Sequence, residues 1–275
     1  MTLQNQNIQP PKNKGFQLQQ LLLQYLKGPF AQPRKMPLII RLILVGIMTW
    51  LTEIGGLLIW PMLSYSVDDL GFRLTLKRYL YPILSYILGS ITIVPIVAAQ
   101  FNFVPLPCYS SRSVLKPQTQ MTCVLNRHYV KSNVRDGLLT LSRQLSRRYD
   151  NVDIRFLDGG HPFGVIPPFP NFSHRNGRSI DLAFLWKDDL GNQTTSPSPI
   201  GYGGYTNPTQ TRNCSSEELL KILNIPISLR WNLTWAQSLF PKRNLDTNKT
   251  RTMISYAASN PDILAIYLEP SLHNA

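Results

Sequence analysis

Tyr79–Gln100 is a run of 22 residues without a single charged side chain. A bilayer crossing needs about 20 apolar residues, so this stretch predicts a membrane helix. Tyr79 and Tyr81 at one end suit an interfacial aromatic belt. Pro82 lies in the first turn, where it is tolerated, and Pro95 is expected to kink the far end. A second apolar stretch, Pro37–Tyr65, precedes it. Arg41 sits near the start of that stretch and can snorkel. Glu53 sits near its middle, which is costly unless the carboxylate is paired or neutralised. Gly55-Gly56 would allow close packing against another helix. With only Ser66–Arg78 between them, the two segments read as a transmembrane helical hairpin, about 37–65 and 79–100.

The charge is uneven. Residues 1–41 carry six Lys/Arg and no acid, and residues 102–275 carry 19 Lys/Arg against 12 Asp/Glu. No helix-turn-helix, zinc-finger or arginine-rich run accompanies the basic balance, so nucleic acid is not the expected partner. The lipid bilayer is. Residues 1–36 are Gln-rich, punctuated by Pro10, Pro11, Pro29 and Pro33, and read as a disordered basic tail. Two crossings would put both termini on one side, and the basic tail, with Arg73, Lys77 and Arg78 of the loop, favours the cytoplasmic side. If the Glu53 segment does not cross, the C-terminal domain moves to the outside.

Residues 102–275 read as one mixed α+β domain. Val134, Leu138, Leu139, Leu141 and Leu145 recur at helical spacing, with Ser132 or Asn133 as cap. Val152–Leu157 and Ile180–Trp186 read as strands, separated by a proline-rich loop. Gly191–Asn213 is a long polar loop. Ser216–Leu223 and Thr247–Ser259 read as helices, and Asp262–Leu268 as a β-rich run. Cys108 and Cys123 lie 15 residues apart in a stretch with little core character. A loop-stapling disulfide and free thiols are both open there, as they are for Cys214. The five Asn-x-Ser/Thr sequons, at Asn171, Asn192, Asn213, Asn232 and Asn248, say little in so polar a chain.

The chemistry concentrates in Ser173-His174-x-x-Gly177-x-x-x-Asp181. An imidazole and a carboxylate are both good zinc ligands, and a loop joined to a strand by a glycine turn can hold them at one point. A catalytic zinc takes three protein ligands and keeps one position open. The chain has four histidines. His128 reads as a packing residue and His161, after Gly159-Gly160, as a turn residue. Asp158 at a strand end reads as structural, and Asp181 could instead pair with Arg178.

The pattern resembles the Ser-x-His-x-x-Gly-x-x-x-Asp signature of the zinc peptidases that cut peptidoglycan cross-links. That group includes the D-Ala-D-Ala carboxypeptidases and the penicillin-insensitive murein endopeptidase, and has a hedgehog-type α+β fold. The serine here adjoins the histidine, where the signature has one residue between. Phe156-Leu157-Asp158, His161-Pro162-Phe163 and Ala183-Phe184 look closer to membrane-anchored relatives of the group. The resemblance covers roughly Pro105 onward. It implies that His174 and Asp181 are zinc ligands, that Ser173 and Gly177 shape the ligand loop, and that peptidoglycan peptides are the substrate of an extracytoplasmic domain. It also implies a third ligand and a catalytic base in a later His-x-His or Glu-x-x-His motif. No His-x-His follows Asp181. The nearest approach is Glu269-Pro270-Ser271-Leu272-His273, which nominates His273 as third ligand and Glu269 as base, with one residue too many between them. The departure leaves a second expectation: an inactive or C-terminally truncated relative, serving as a membrane-tethered binding module.

Overall fold

The structure, a computed structural model, describes residues 38–64, 71–110, 113–169, 171–202, 239–241 and 243–268. The expected helix Ser216–Leu223, Cys214, Glu269 and His273 lie outside these residues, as does the tail 1–36.

Three helices come first among the described residues: α1 (Leu38–Thr52), α2 (Gly55–Ser64) and α3 (Gly71–Gln100). Among the described residues only α3 is long and apolar enough to cross a membrane, over Leu80–Gln100. The other expected crossing, Pro37–Tyr65, is not one helix, and the reason is Glu53. Its backbone sits at φ 66°, a left-handed conformation that a helix cannot continue through. The Thr52 hydroxyl accepts the Gly55 N–H at 2.8 Å and so starts a new helix. The chain then doubles back. Gly56 lies against Val45 and Thr49 of α1, so closely that a Cβ would run into the Val45 carbonyl. Along one straight helix Val45 and Gly56 would stand about 16 Å apart. α1 and α2 therefore form an out-and-back pair, and the Gly55-Gly56 step is what lets them touch. Leu58 of α2 then packs on Gly89 of α3, and its carbonyl accepts from the Ser85 hydroxyl at 2.7 Å.

Only Phe101 and Asn102 separate α3 from the mixed domain. Its strands among the described residues form three small sheets. β1 (Phe103–Pro105) pairs antiparallel with β3 (Tyr129–Lys131). β2 (Leu115–Pro117) runs parallel to β4 (Ile154–Asp158), which pairs antiparallel with β5 (Asp181–Leu182). β6 (Trp186–Lys187) lies between β7 (Gln193–Thr194) and β8 (Asn244–Leu245). The helices are α4 (Gln120–Val124), α5 (Ser132–Arg148) and α6 (Thr247–Ala258). α5 turns Leu138, Leu141 and Leu145 into the core against Leu115, Ile154 and Phe156. This is the stripe that the 3.6-residue period predicts. Each such leucine contributes about 2 kcal/mol by leaving water. Cys108 and Cys123 form a disulfide, with Cα atoms 6.1 Å apart.

Three local expectations differ. The Ser132 hydroxyl bonds Asn102 Oδ1 at 2.7 Å, so it does not cap α5, and Lys131 takes the cap position without a side-chain bond. Ile180–Trp186 is two short strands in two sheets, because buried Leu185 gives its N–H to Thr250 Oγ1 of α6 rather than to a neighbouring strand. Asp262–Leu268 joins no ladder; Leu264 and Tyr267 are almost wholly exposed, so the half-burial that a strand face needs is missing.

Domain and helices are locked at Glu53. Its carboxylate is 7 % exposed and accepts the backbone N–H groups of Phe163 (2.6 Å), Val165 and Ile166 (2.9 Å). Trp50 stacks on Phe169 at 5.6 Å, and Phe101 meets Phe163 edge-on at 6.0 Å. Asn126 donates to Tyr86 Oη (3.3 Å) and Ser90 Oγ (3.2 Å) of α3, and the Tyr86 hydroxyl donates to the Val124 carbonyl. A hydrogen bond to a charged group contributes about 1.5–3 kcal/mol. Glu53→Ala is therefore expected to destabilise the docking by about 3 kcal/mol or more, and Glu53→Gln by less. Hydrogen exchange at the Phe163, Val165 and Ile166 amides reads it directly: their protection should drop in Glu53→Ala while the amides of α5 keep theirs.

Candidate metal and catalytic site

β4 ends at Asp158 and β5 begins at Asp181, and an irregularity in the ladder sets the two residues opposite each other. Between them the chain makes the Pro-rich loop and a 3-10 turn, Phe172–Asn176, that carries His174. Gly177 closes the turn at φ 67°, with its N–H on the His174 carbonyl at 3.1 Å. Its own carbonyl accepts from Lys131 N at 2.8 Å, which ties the turn to β3. The result buries His174 at 3 % exposure and brings its Nε2 within 3.3 Å of Asp181 Oδ1. The two residues singled out by spacing do meet, and Arg178 is not the partner of Asp181. Ser173 is exposed on the turn.

A polar network surrounds the pair. Asn171 Nδ2 donates to Asp158 Oδ2, to Asp181 Oδ2 (3.3 Å) and to Tyr202 Oη (3.3 Å). The Tyr202 hydroxyl donates to Asp181 Oδ2. Arg127 holds Asp158 through both arms of its fork, Nε to Oδ1 at 2.8 Å and Nη2 to Oδ2, and reaches the Phe169 carbonyl with Nη1 at 2.9 Å. Asp181 thus has one oxygen satisfied by neutral donors and the other facing His174. A cavity of about 180 Å³ adjoins this network. Met121, Thr122, Leu125, Leu157 and Ile200 form its apolar wall, and Arg127, Asp158, Asn171 and Tyr202 its polar one. His174 and Asp181 do not line the cavity, but Asn171 and Tyr202, which do, both bond Asp181.

The charges follow this layout. Burial alone would push the Asp181 carboxyl up, but the hydrogen bond and charge of His174, with the Tyr202 hydroxyl and Arg127, hold it below the usual carboxylate range. Burial lifts Asp158 above that range, and Arg127 offsets only part of the effect. Burial and then the charges of Asp181 and Asp158 push Tyr202 far above the ordinary phenol, so it remains a donor. His161 is buried, its Nδ1 on the Ile166 carbonyl at 2.9 Å. A carbonyl only accepts, so Nδ1 carries the proton, and Nε2 is buried without a partner among the described residues. Burial lowers its pKa.

The pair fits zinc in part. Two ligands on a tetrahedral zinc, with bonds of about 2.1 Å, stand roughly 3.4 Å apart, which matches 3.3 Å. His174 Nδ1 is buried with no partner among the described residues, whereas a metal-bound histidine ordinarily donates from its second nitrogen. No third His, Cys, Asp or Glu joins the pair closely among the described residues. One other group of ligand type occurs there, Cys108, Cys123 and His128, and its two sulfurs are bonded to each other. Arg127, Asn171 and Tyr202 were not legible as site residues: an arginine beside a histidine, a sequon asparagine and a loop tyrosine carry no pattern. No family model, no curated protein and no solved structure matches the chain.

Gly177→Ala is expected to lose about 2 kcal/mol or more, since a Cβ there would lie 2.5 Å from the Phe103 ring and the backbone is left-handed. Thermal unfolding measures the loss. A separate effect belongs to His128. Burial drops its pKa from 6.5 to about 4, and a bond to the Thr122 backbone restores little. Between those two values the unfolded chain binds the proton and the folded chain does not. Stability from this group is therefore complete above about pH 6.5 and falls as the pH drops toward 4, by about 3 kcal/mol in all. Denaturant midpoints at pH 7 and pH 4.5 should differ more for the wild type than for His128→Leu.

Proposed function

We propose that the chain is a membrane-anchored zinc peptidase-like hydrolase that acts on peptide bonds of peptidoglycan, with His174 and Asp181 as two ligands of the metal. The observation that carries this reading is the 3.3 Å approach of His174 Nε2 to Asp181 Oδ1. It supports the role that the sequence resemblance implies for these residues. A zinc held by these residues with one open position would supply a water with a pKa near about 7. The chain's own residues do the rest. Asn171 and Tyr202 hold Asp181 Oδ2, which would leave Oδ1, beside His174 Nε2, to serve as the ligand oxygen, while Arg127 fixes Asp158 in the wall of the neighbouring cavity. His273 as third ligand and Glu269 as base complete the proposal.

A cell-wall substrate requires the domain outside the cytoplasm, and the helices support that side. An out-and-back pair followed by one crossing puts the basic tail and the domain on opposite faces. The finer expectation of two full crossings gives way here to one crossing, α3, beside a pair broken at Glu53. The Cys108–Cys123 disulfide suits an oxidising compartment.

A second reading, an inactive relative acting as a tethered binding module, is favoured by one observation: no third ligand joins His174 and Asp181 among the described residues. Metal analysis of the full chain in nanodiscs separates the two. About one tightly held zinc per chain, lost in His174→Ala with the fold intact, and hydrolysis of a cross-linked muropeptide are the expected results. A folded wild-type chain without zinc or hydrolysis would leave the binding module.

A further inference from the structure

The mixed domain carries large apolar side chains that the described residues leave exposed. Met121 is 57 % exposed, Val124 46 %, Val165 66 % and Phe172 58 %. They come from two separate segments, α4 and the loop that follows β4. Both segments are the ones bonded to the membrane helices. Val124 and Asn126 reach Tyr86 and Ser90 of α3, and the Phe163–Ile166 loop is held by Glu53. Ser90 lies ten residues before Gln100, about 15 Å along the helix and well within the apolar stretch Leu80–Gln100. The domain therefore meets α3 at a depth where α3 itself shows Ile93 and Ile96 outward, 57 % and 67 % exposed. Exposed apolar side chains gathered on two segments mark a partner surface, and here the same two segments are the ones that contact the helices.

We infer that this rim is immersed in the acyl-chain region of the leaflet on the domain's side, so that the domain is seated in the bilayer as well as tethered to it. The occupant is lipid. The inference rests on the reading of α3 as a membrane crossing, and it is independent of whether the site binds zinc.

Spin labels report it. On a Cys214→Ser background that keeps the disulfide, single cysteines are introduced as Val165→Cys and Phe172→Cys, one per chain. Ile93→Cys on α3 and Leu190→Cys, 87 % exposed on a distant turn, serve as references. The full chain is placed in phosphatidylcholine nanodiscs, and relaxation by oxygen is compared with relaxation by a water-soluble nickel chelate. Labels at 165 and 172 should follow the label at 93, with oxygen prevailing, and the label at 190 should show the reverse. Labels at 165 and 172 that behave like 190 while 93 reports lipid would overturn the immersed rim alone. A label at 93 that also reports water would overturn the membrane reading and the rim with it. Both test positions are surface side chains, so agreement between them guards against one variant that misfolds.

Discussion

The buried carboxylate of Glu53 is the interaction on which the rest of the arrangement depends. It does two things at once. Its left-handed backbone ends α1 and turns the chain, and its side chain gathers three amides of the loop between β4 and the His174 turn. A charge in an apolar segment is tolerable only when it is satisfied, and here backbone donors from another part of the chain satisfy it. The same loop would in turn bury unpaired amides without the carboxylate. Each segment removes the other's penalty, so neither arrangement is expected to persist alone.

The sequence made the period-based elements plain and left the pairwise ones hidden. α5 followed directly from the spacing of Val134, Leu138, Leu141 and Leu145, and α6 from its own pattern, because a helix face is a local property. The cost of Glu53 was equally legible, but its remedy was not. The partners lie about 110 residues away, and backbone amides have no sequence signature. For the same reason Ile180–Trp186 looked like one strand: a run of apolar residues does not say which sheet each half joins. His174 and Asp181 were visible because a fixed spacing across a glycine turn is local. Arg127, Asn171 and Tyr202 converge from three distant segments, which only the folded chain brings together.

The site itself is asymmetric. One carboxylate, Asp158, is neutralised by a fork of arginine donors and serves as structure. The other, Asp181, is steadied on one oxygen by Asn171 and Tyr202 and turned toward a histidine on the other. Two carboxylates facing each other across a ladder would repel. Asn171 donates to both, and the addition of Arg127 on Asp158 and Tyr202 on Asp181 lets them stand close and take different tasks.

The junction after α3 has a mechanical meaning. Only Phe101 and Asn102 lie between the end of the helix and β1, and Lys131 Nζ grips the Phe101 carbonyl at 2.9 Å. With no slack in that joint, and a second fastening at Glu53, the cavity is held at a fixed place relative to α3, and so, with α3 crossing a bilayer as proposed, at a set height above the midplane. The protein would act as a caliper. Whatever it handles would have to come to that height, with material farther out beyond its reach.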